Sequence, residues 1–156
     1  MSKKIVLLSA AILLVFSIAF SGDATWFDMK NCSMCKALNE KPGLLESTSY
    51  EQVSIPDGIV SITTVNNGRL KDYREAHAKM MDIAARLQKG EPLPLCQSCT
   101  ALGALLMKGV KQNYAETTKG DVWVLTSDTP AVVAELQGWA KRNQDEMVKL
   151  EAAKKK

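Results

Sequence analysis

The residues best able to do chemistry are cysteines, and they occur in two pairs with the same spacing. Two residues separate Cys32 from Cys35 near the start of the chain, and two separate Cys96 from Cys99 past its middle; these are the only cysteines among 156 residues. CxxC spacing lets two sulfurs bind one metal ion or close a small disulfide ring. The chemistry of the chain is therefore expected at these four positions.

Metal binding is the first interpretation of the four cysteines. Zinc takes four sulfur or nitrogen ligands in a tetrahedron, which two CxxC pairs can supply, and thiolates also suit copper(I). The two pairs lie about sixty residues apart, whereas a zinc ribbon separates them by about 15–20, so the motif is only moderately specific. The sequence predicts a site made of Cys32, Cys35, Cys96 and Cys99 that binds zinc or copper.

His77 and Met34 are candidate additional ligands. His77 is the only histidine of the chain, on the apolar side of a predicted helix, where it either reaches the cysteines or is a hydrogen-bonded core residue. Met34 lies inside the first CxxC, and Met80 and Met81 follow His77 closely. Thioethers bind copper(I), although methionines at such spacing more often fill a core.

Two other interpretations use the same cysteines. In thiol–disulfide exchange enzymes a CxxC at a helix N-terminus lowers the pKa of one thiol, but this chain lacks the βαβ pattern in which the motif indicates that chemistry. Alternatively the cysteines form structural disulfides, within the pairs or between them, and a ligand binds elsewhere. A disulfide between the pairs would close a long loop and stabilise the fold by roughly 4 kcal/mol.

The first 21 residues are predicted to be a signal peptide. Lysines precede an uncharged run over 5–20, and the small residues Ala19 and Ser21 stand where a signal peptidase reads the chain. The run is shorter than the roughly 20 residues that span a bilayer as a helix, so cleavage leaves residues 22–156 without a stable membrane anchor. We expect export to the periplasm or the outside of a bacterial cell, where thiols are oxidised or bound to metal.

Charge and motif content narrow the function further. The net charge of +3 falls to +1 once the two lysines of the signal peptide are removed, which argues against nucleic acid as a partner because it requires a concentrated positive surface. The chain has no G-x-S-x-G elbow and no glycine-rich phosphate loop. The sequence therefore favours a small binding protein over an enzyme and does not identify its partner.

The elements that position the cysteines follow the same order in both halves of the chain. Each CxxC begins a predicted helix, which is followed by a β-hairpin and then by an amphipathic helix. Similar residues align when the second CxxC is laid on the first and a short deletion is allowed before the turns. The aligned pairs are Cys32 with Cys96, Cys35 with Cys99, Tyr50 with Tyr114, Gly58 with Gly120 and Thr64 with Thr126. This pattern indicates an internal duplication over about 30–90 and 94–152.

Two such units predict an α+β fold. Their hairpins form a four-stranded, mainly antiparallel sheet with helices packed on it, and residues 22–156 make one domain. Asn31 is expected to cap the first helix, and the segment 24–29 to form an edge strand or an anchoring arm. The turns are expected at 56–58 and 119–121, with the third strand starting at Tyr114.

Several segments resemble one group of proteins. These segments are Trp26-Phe27-Asp28, the first CxxC with Asn31 and Lys36, the second CxxC, and the run from Leu125 to Pro130. They resemble uncharacterised exported bacterial proteins with two CxxC motifs, over most of residues 22–156. The resemblance implies the same architecture and no established activity.

Overall fold

The computed structural model describes residues 25–66 and 68–154, with side chains to residue 152; the predicted signal peptide over 1–21 lies outside the described residues. The elements in chain order are α1 (Ser33–Asn39), a 3-10 helix (Leu45–Ser47), β1 (Thr48–Ile55), β2 (Gly58–Val65), α2 (Leu70–Gln88), α3 (Gln97–Met107), β3 (Lys111–Thr117), β4 (Gly120–Thr126) and α4 (Pro130–Lys154). Within the described ranges, no helix combines the length and the apolar character needed to cross a membrane.

The four strands form one antiparallel sheet in the order β1-β2-β4-β3. This confirms the predicted α+β class and the four-stranded sheet. Ile55 pairs with Gly58 and Thr117 with Gly120, so each hairpin is closed by a loop of two residues. The two hairpins meet through β2 and β4, which are the central strands.

The pairing of the two hairpins is symmetric when Gly120 is laid on Gly58. In the central pair, Gly58 faces Thr126 and Thr64 faces Gly120, so exchanging the two strands leaves the register unchanged. The edge strands β1 and β3 are also paired with their neighbours in equivalent registers. The sheet therefore has an approximate two-fold axis through its centre.

The predicted alignment of Tyr50 with Tyr114 is wrong. Tyr50 pairs with Thr63, whereas Tyr114 pairs with Trp123. Under the superposition that the strands require, the position equivalent to Tyr50 is Gln112. The difference in length between the two halves thus lies before the hairpin, in the connection from the CxxC helix, because loops accept length changes that paired strands do not.

The core lies on one face of the sheet, which we call the inner face. Ile59 and Leu125 of the central strands pack with Leu136 of α4, and Val65 of β2 packs with Tyr73 of α2. Because side chains alternate between the two faces of a strand, these strand residues point to the same side. The long helices α2 and α4 therefore cover the same face.

The N-terminal arm, residues 25–31, forms bends and turns and no edge strand. It is anchored by Trp26, which is buried and donates from its indole Nε1 to Asn143 Oδ1 of α4 at 2.8 Å. Asn31 does not cap α1: Cys32 occupies the N-cap, and the Asn31 amide donates to Asp28 Oδ2. The sequence did not indicate that the Asp28 carboxylate also accepts hydrogen bonds from the backbone N–H groups of Lys30 and Asn31.

The second hairpin differs from its predicted boundaries. β3 starts at Lys111 and not at Tyr114, and its turn is closed at Gly120. All seven residues of β3 are exposed, so no apolar alternation marks where the strand begins. Asp121, predicted in the turn, is a buried strand residue whose carboxylate accepts from the Tyr73 hydroxyl.

Helix α2 is confirmed, but its apolar stripe is buried only near the start. Tyr73 and Ala76 are buried, whereas Met81 is 57% exposed. Periodicity reports which side chains share a helix face and does not report how far along the helix that face meets the core.

Candidate metal centre

Each CxxC stands at the start of a helix, with its first cysteine at the N-cap. Cys32 and Cys96 are the N-cap residues of α1 and α3, with extended backbone, and neither cap is closed by a side-chain hydrogen bond. Cys35 and Cys99 follow in the first turn of each helix. Since one helical turn takes 3.6 residues, the two sulfurs of each motif lie on the same side of its helix start.

The N-terminal arm and the linker before α3 bring the two helix starts together. The Ser33 N–H of α1 donates to the carbonyl of Pro94 at 2.9 Å, and the Ser98 N–H of α3 donates to the carbonyl of Trp26 at 3.0 Å. The Ser98 hydroxyl donates to Asn143, the residue that also accepts from the Trp26 indole. The arm, α3 and α4 are therefore fixed to one another beside the cysteines.

The four sulfurs form one compact group. The Sγ–Sγ distance is 3.7 Å from Cys32 to Cys99, 3.6 Å from Cys35 to Cys96 and 3.9 Å from Cys35 to Cys99. All four sulfurs lie within 4.8 Å of one another, and all four cysteines are free thiols. The first two distances are equivalent under the two-fold relation between the halves, so the site has the same approximate symmetry as the sheet.

Backbone N–H groups also favour ionisation of two of the thiols. Besides the neighbouring thiols, the N–H of Cys35 lowers the pKa of Cys32, and the N–H of Cys99 lowers the pKa of Cys96. N–H groups in the first turn of a helix have no partner within the helix and favour negative charge. The first cysteine of each motif is thus prepared to be a thiolate.

The four thiols differ in how readily they ionise. The hydrogen bond with the Cys35 thiol is the main cause that lowers the pKa of Cys32 to about 6, and the hydrogen bond with Cys32 lowers the pKa of Cys96. The pKa values of Cys35 and Cys99 are raised, chiefly through the hydrogen bond that each makes with Cys32. Four thiolates this close repel one another, and a bound cation would remove that repulsion.

The site is closed on most sides. Cys32 and Cys96 are 1% exposed and Cys35 is 9% exposed, while Cys99 is partly exposed. Partly buried apolar side chains pack around the sulfurs; they are Met29, Met34 and Leu95. An ion held here would be shielded from water except on the side of Cys99.

Of the predicted additional ligands, Met34 packs against the cysteine cluster. His77 lies elsewhere on α2, where its ring stacks on Tyr114 with centroids 4.9 Å apart and lies 6.3 Å from the ring of Tyr73. Among the described histidine, cysteine, aspartate and glutamate side chains, the group that could hold an ion consists of the four cysteines. A role for His77 as a ligand stays a prediction.

Sequence reasoning missed two neighbours of the site. Met29 comes from the N-terminal arm, and its only sequence signal is that it lies three residues before Cys32. Tyr50 of β1 lies close enough for the Cys35 and Asp121 charges to affect it, and its hydroxyl is buried without a hydrogen-bond partner. Burial is the main cause that raises the pKa of Tyr50. No pattern in the sequence signals this placement, because only the fold brings β1 to the cysteines.

No protein-family model, curated protein or solved structure matches this chain. Its function therefore has to be argued from the chemistry and the geometry of the site.

Proposed function

We propose that this chain is an exported binding protein that holds one soft metal ion between Cys32, Cys35, Cys96 and Cys99. The observation that carries the proposal is the spacing of the sulfurs. Zn–S bonds of about 2.3 Å in a tetrahedron place the sulfurs roughly 3.8 Å apart; three of the six Sγ–Sγ distances are 3.6–3.9 Å, and all six are within 4.8 Å. A disulfide would need about 2.05 Å.

Zinc is the ion that these ligands suit best. Four thiolates at the corners of a tetrahedron satisfy its preference completely. Copper(I) is the second candidate, since it also favours thiolates and since the thioether of Met34 lies against the cluster. A single iron ion accepts the same four-sulfur geometry and would be recognised by its colour.

Binding is a better interpretation than catalysis. A catalytic zinc keeps one coordination position for water or substrate, whereas a structural zinc is held by four protein ligands. Here four sulfurs are available, and three of the four cysteines are buried. The ion would therefore be held by the protein and would have no open position for a substrate.

Export gives the metal a protective role. The chain begins with a signal-like segment over 1–21, and free thiols in an exported protein are normally oxidised. Thiolates bound to zinc are held as ligands, so we expect the ion to keep the four cysteines reduced.

An internal duplication would explain why each half of the chain supplies two of the four ligands. Each half supplies one CxxC at the start of a short helix and one hairpin, and the hairpin registers agree under one superposition. We propose that two copies of an ancestral unit each contribute two ligands, so that the ion lies at the contact between the halves.

Thiol–disulfide chemistry is the alternative that one observation favours. Two close sulfur contacts, Cys35 with Cys96 at 3.6 Å and Cys32 with Cys99 at 3.7 Å, join different motifs. Oxidation of these pairs would link the halves, unlike the small ring that a CxxC redox enzyme closes. Such bonds would be structural cross-links, or a redox pair if they can be reduced reversibly.

Metal content and thiol content, measured on the same sample, test the proposal. The protein is isolated from the exported fraction, its metals are quantified, and its thiols are titrated in denaturant before and after chelation. We expect about one zinc and four thiols per chain. Absence of both metal and thiols would overturn the proposal, and mass mapping of the linked cysteines would then distinguish cross-links from local pairs.

A ligand variant with a matched control extends the test. Cys96→Ser should weaken zinc binding by at least about 100-fold, because loss of a supporting outer-shell partner alone costs 10–100-fold. Ser33→Ala changes a residue of the other CxxC that is not a ligand and should leave the affinity unchanged. Met34→Leu should leave zinc binding unchanged as well, and a lower copper(I) affinity in this variant would identify the thioether as a copper ligand.

A further inference from the structure

The face of the sheet opposite α2 and α4, which we call the outer face, is apolar at its centre. Strand alternation sends six branched aliphatic side chains to this face. They are Val53, Ile55, Val60, Ile62, Val122 and Val124. The last four form a block on the central strands, with Val60 facing Val124 and Ile62 facing Val122.

The outer face lacks the polarity of the wet side of an ordinary half-exposed sheet. An antiparallel sheet with one wet face normally has apolar residues towards the core and polar residues towards water. Here the inner face carries the core residues Ile59 and Leu125, and the outer face of the same two strands carries the β-branched aliphatic block. Water is therefore a poor environment for the outer face.

Nothing within the described residues covers the outer face. None of its six aliphatic side chains belongs to a core cluster of the protein. Val53 is 42% exposed, and the four central residues are partly exposed although strands flank them on both sides. A contiguous apolar patch of this kind on a protein surface marks an interaction site.

We propose that a second copy of the chain covers the outer face, so that two sheets pack face to face as a homodimer. Strand spacing of about 4.8 Å and a rise of about 3.3 Å per residue give a four-stranded face of seven to eight residues roughly 500 Å². Two such faces bury about 1,000 Å² in total, which reaches the lower limit for a specific interface. We therefore expect a dimer with micromolar affinity.

The charges of the outer face permit this contact. Its charged side chains are Glu51 on β1 and Lys111 on β3, at opposite edges, and Lys111 already pairs with Asp128. Both charges lie at the rim of the face and are exposed, so two copies can pack over the whole face without enclosing an unpaired charge, which would be costly.

The symmetry of the face also favours a second copy. A two-fold dimer needs a patch that is complementary to itself. The aliphatic block has the approximate two-fold symmetry of the sheet, since Val60 corresponds to Val122 and Ile62 to Val124 when the two hairpins are superposed. Stacked sheets pack with such residues interdigitated, about 10 Å apart.

Sedimentation velocity on the protein as isolated tests the proposal. Samples from about 1 to 200 μM cover the affinity expected for an interface of this size. We expect the mass to rise from monomer to dimer with concentration, and a gel without reductant will exclude disulfide-linked pairs. Val60→Lys and Val122→Lys should each weaken dimerisation at least tenfold. Val148→Lys, the same change at a valine that is 66% exposed on α4, should not.

A second variant covers the case in which a lysine prevents folding. The double variant V60T/V122T keeps the β-branched shape and strand propensity while adding hydroxyls, and it should weaken the dimer to a similar extent. Monomers at every concentration, or dimers unaffected by these changes, would overturn the proposal. The proposal would also be overturned if the wild type were a monomer that binds lipid vesicles and Val60→Lys lost this binding. That result would assign the outer face to a membrane surface.

Discussion

At the scale of single residues, the hydrogen bonds around Asp121 distinguish two tyrosines, Tyr73 and Tyr50. Asp121 is 4% exposed, and its Oδ2 accepts from the hydroxyls of Tyr73 and, at 3.3 Å, Tyr114. Burial is the main cause that raises the pKa of Tyr73, and the bond to Asp121 adds to it. The Tyr50 hydroxyl, close to the same carboxylate, has no partner. Identical phenol groups therefore contribute differently to stability.

Tyr73→Phe and Tyr50→Phe test this difference. Removing the Tyr73 hydroxyl leaves a buried carboxylate with one donor fewer, and the free energy of unfolding should fall by about 1–3 kcal/mol. Removing the unpartnered Tyr50 hydroxyl should leave that free energy unchanged or raise it by up to about 1 kcal/mol. Urea unfolding of both variants measures the two values side by side. A large loss in Tyr50→Phe would mean that its hydroxyl does have a partner.

The sequence identified the four cysteines of the candidate site but not the residues that lie around them. Cys32, Cys35, Cys96 and Cys99 could be selected because sulfur at CxxC spacing has few other uses. His77 could not be assigned, because its apolar helix position fits a ligand, a core residue or the aromatic stack in which it lies. Hydrophobic periodicity shows which residues share a face of one helix, but not which other element packs against that face.

At the scale of elements, two glycines allow the central strands to approach each other. A Cβ built on Gly58 would lie 1.9 Å from the carbonyl oxygen of Leu125, and one on Gly120 would lie 1.9 Å from that of Thr63. Both contacts are with backbone, which cannot turn away as a side chain can. These glycines therefore permit the β2–β4 pairing that joins the two hairpins.

Gly58→Ala and Gly120→Ala should each disturb the sheet at its centre. Forcing an extra methyl group into a filled space typically costs about 1–3 kcal/mol, and we expect at least that loss of unfolding free energy in each variant. Gly138→Ala on α4 is the control, because no side chain and no other element lies within 4 Å of its added Cβ. That helical substitution should stabilise by up to about 1 kcal/mol. Thermal unfolding of the three variants gives the comparison, and equal losses in all of them would contradict the argument.

The helices and strands were predictable wherever one face of the element is buried. The hairpin at 56–58 and helix α2 follow from turn chemistry and apolar period. β3 lacks any buried residue, so its start was placed too late. The pairing of β2 with β4 depends on contacts between distant segments, and it could be inferred only through the repeated order of elements.

At the scale of the whole molecule, the cysteine cluster and the hydrophobic core join the two halves at separate places. α1 packs on α2 and α3 packs on α4, so an ion at the start of α1 and α3 would connect the two helix pairs. The main core cluster, which includes Ile59 and Leu125, contains none of the cysteines. The core should therefore survive loss of the ion, unlike that of a zinc finger, which unfolds without metal.

Chelation of the isolated protein tests this independence. An ion present at about 1,000 times its dissociation constant stabilises by roughly 4 kcal/mol, and a chain of this size changes its Tm by about 3–5 °C per kcal/mol. Chelator should therefore lower Tm by roughly 10–20 °C while the far-UV circular dichroism at room temperature stays unchanged. Cys96→Ser is the control: because its ion is already lost, chelator should not shift its Tm. Unfolding of the wild type at room temperature on chelation would show that the core depends on the ion, and an unchanged Tm would show that no ion contributes to the fold.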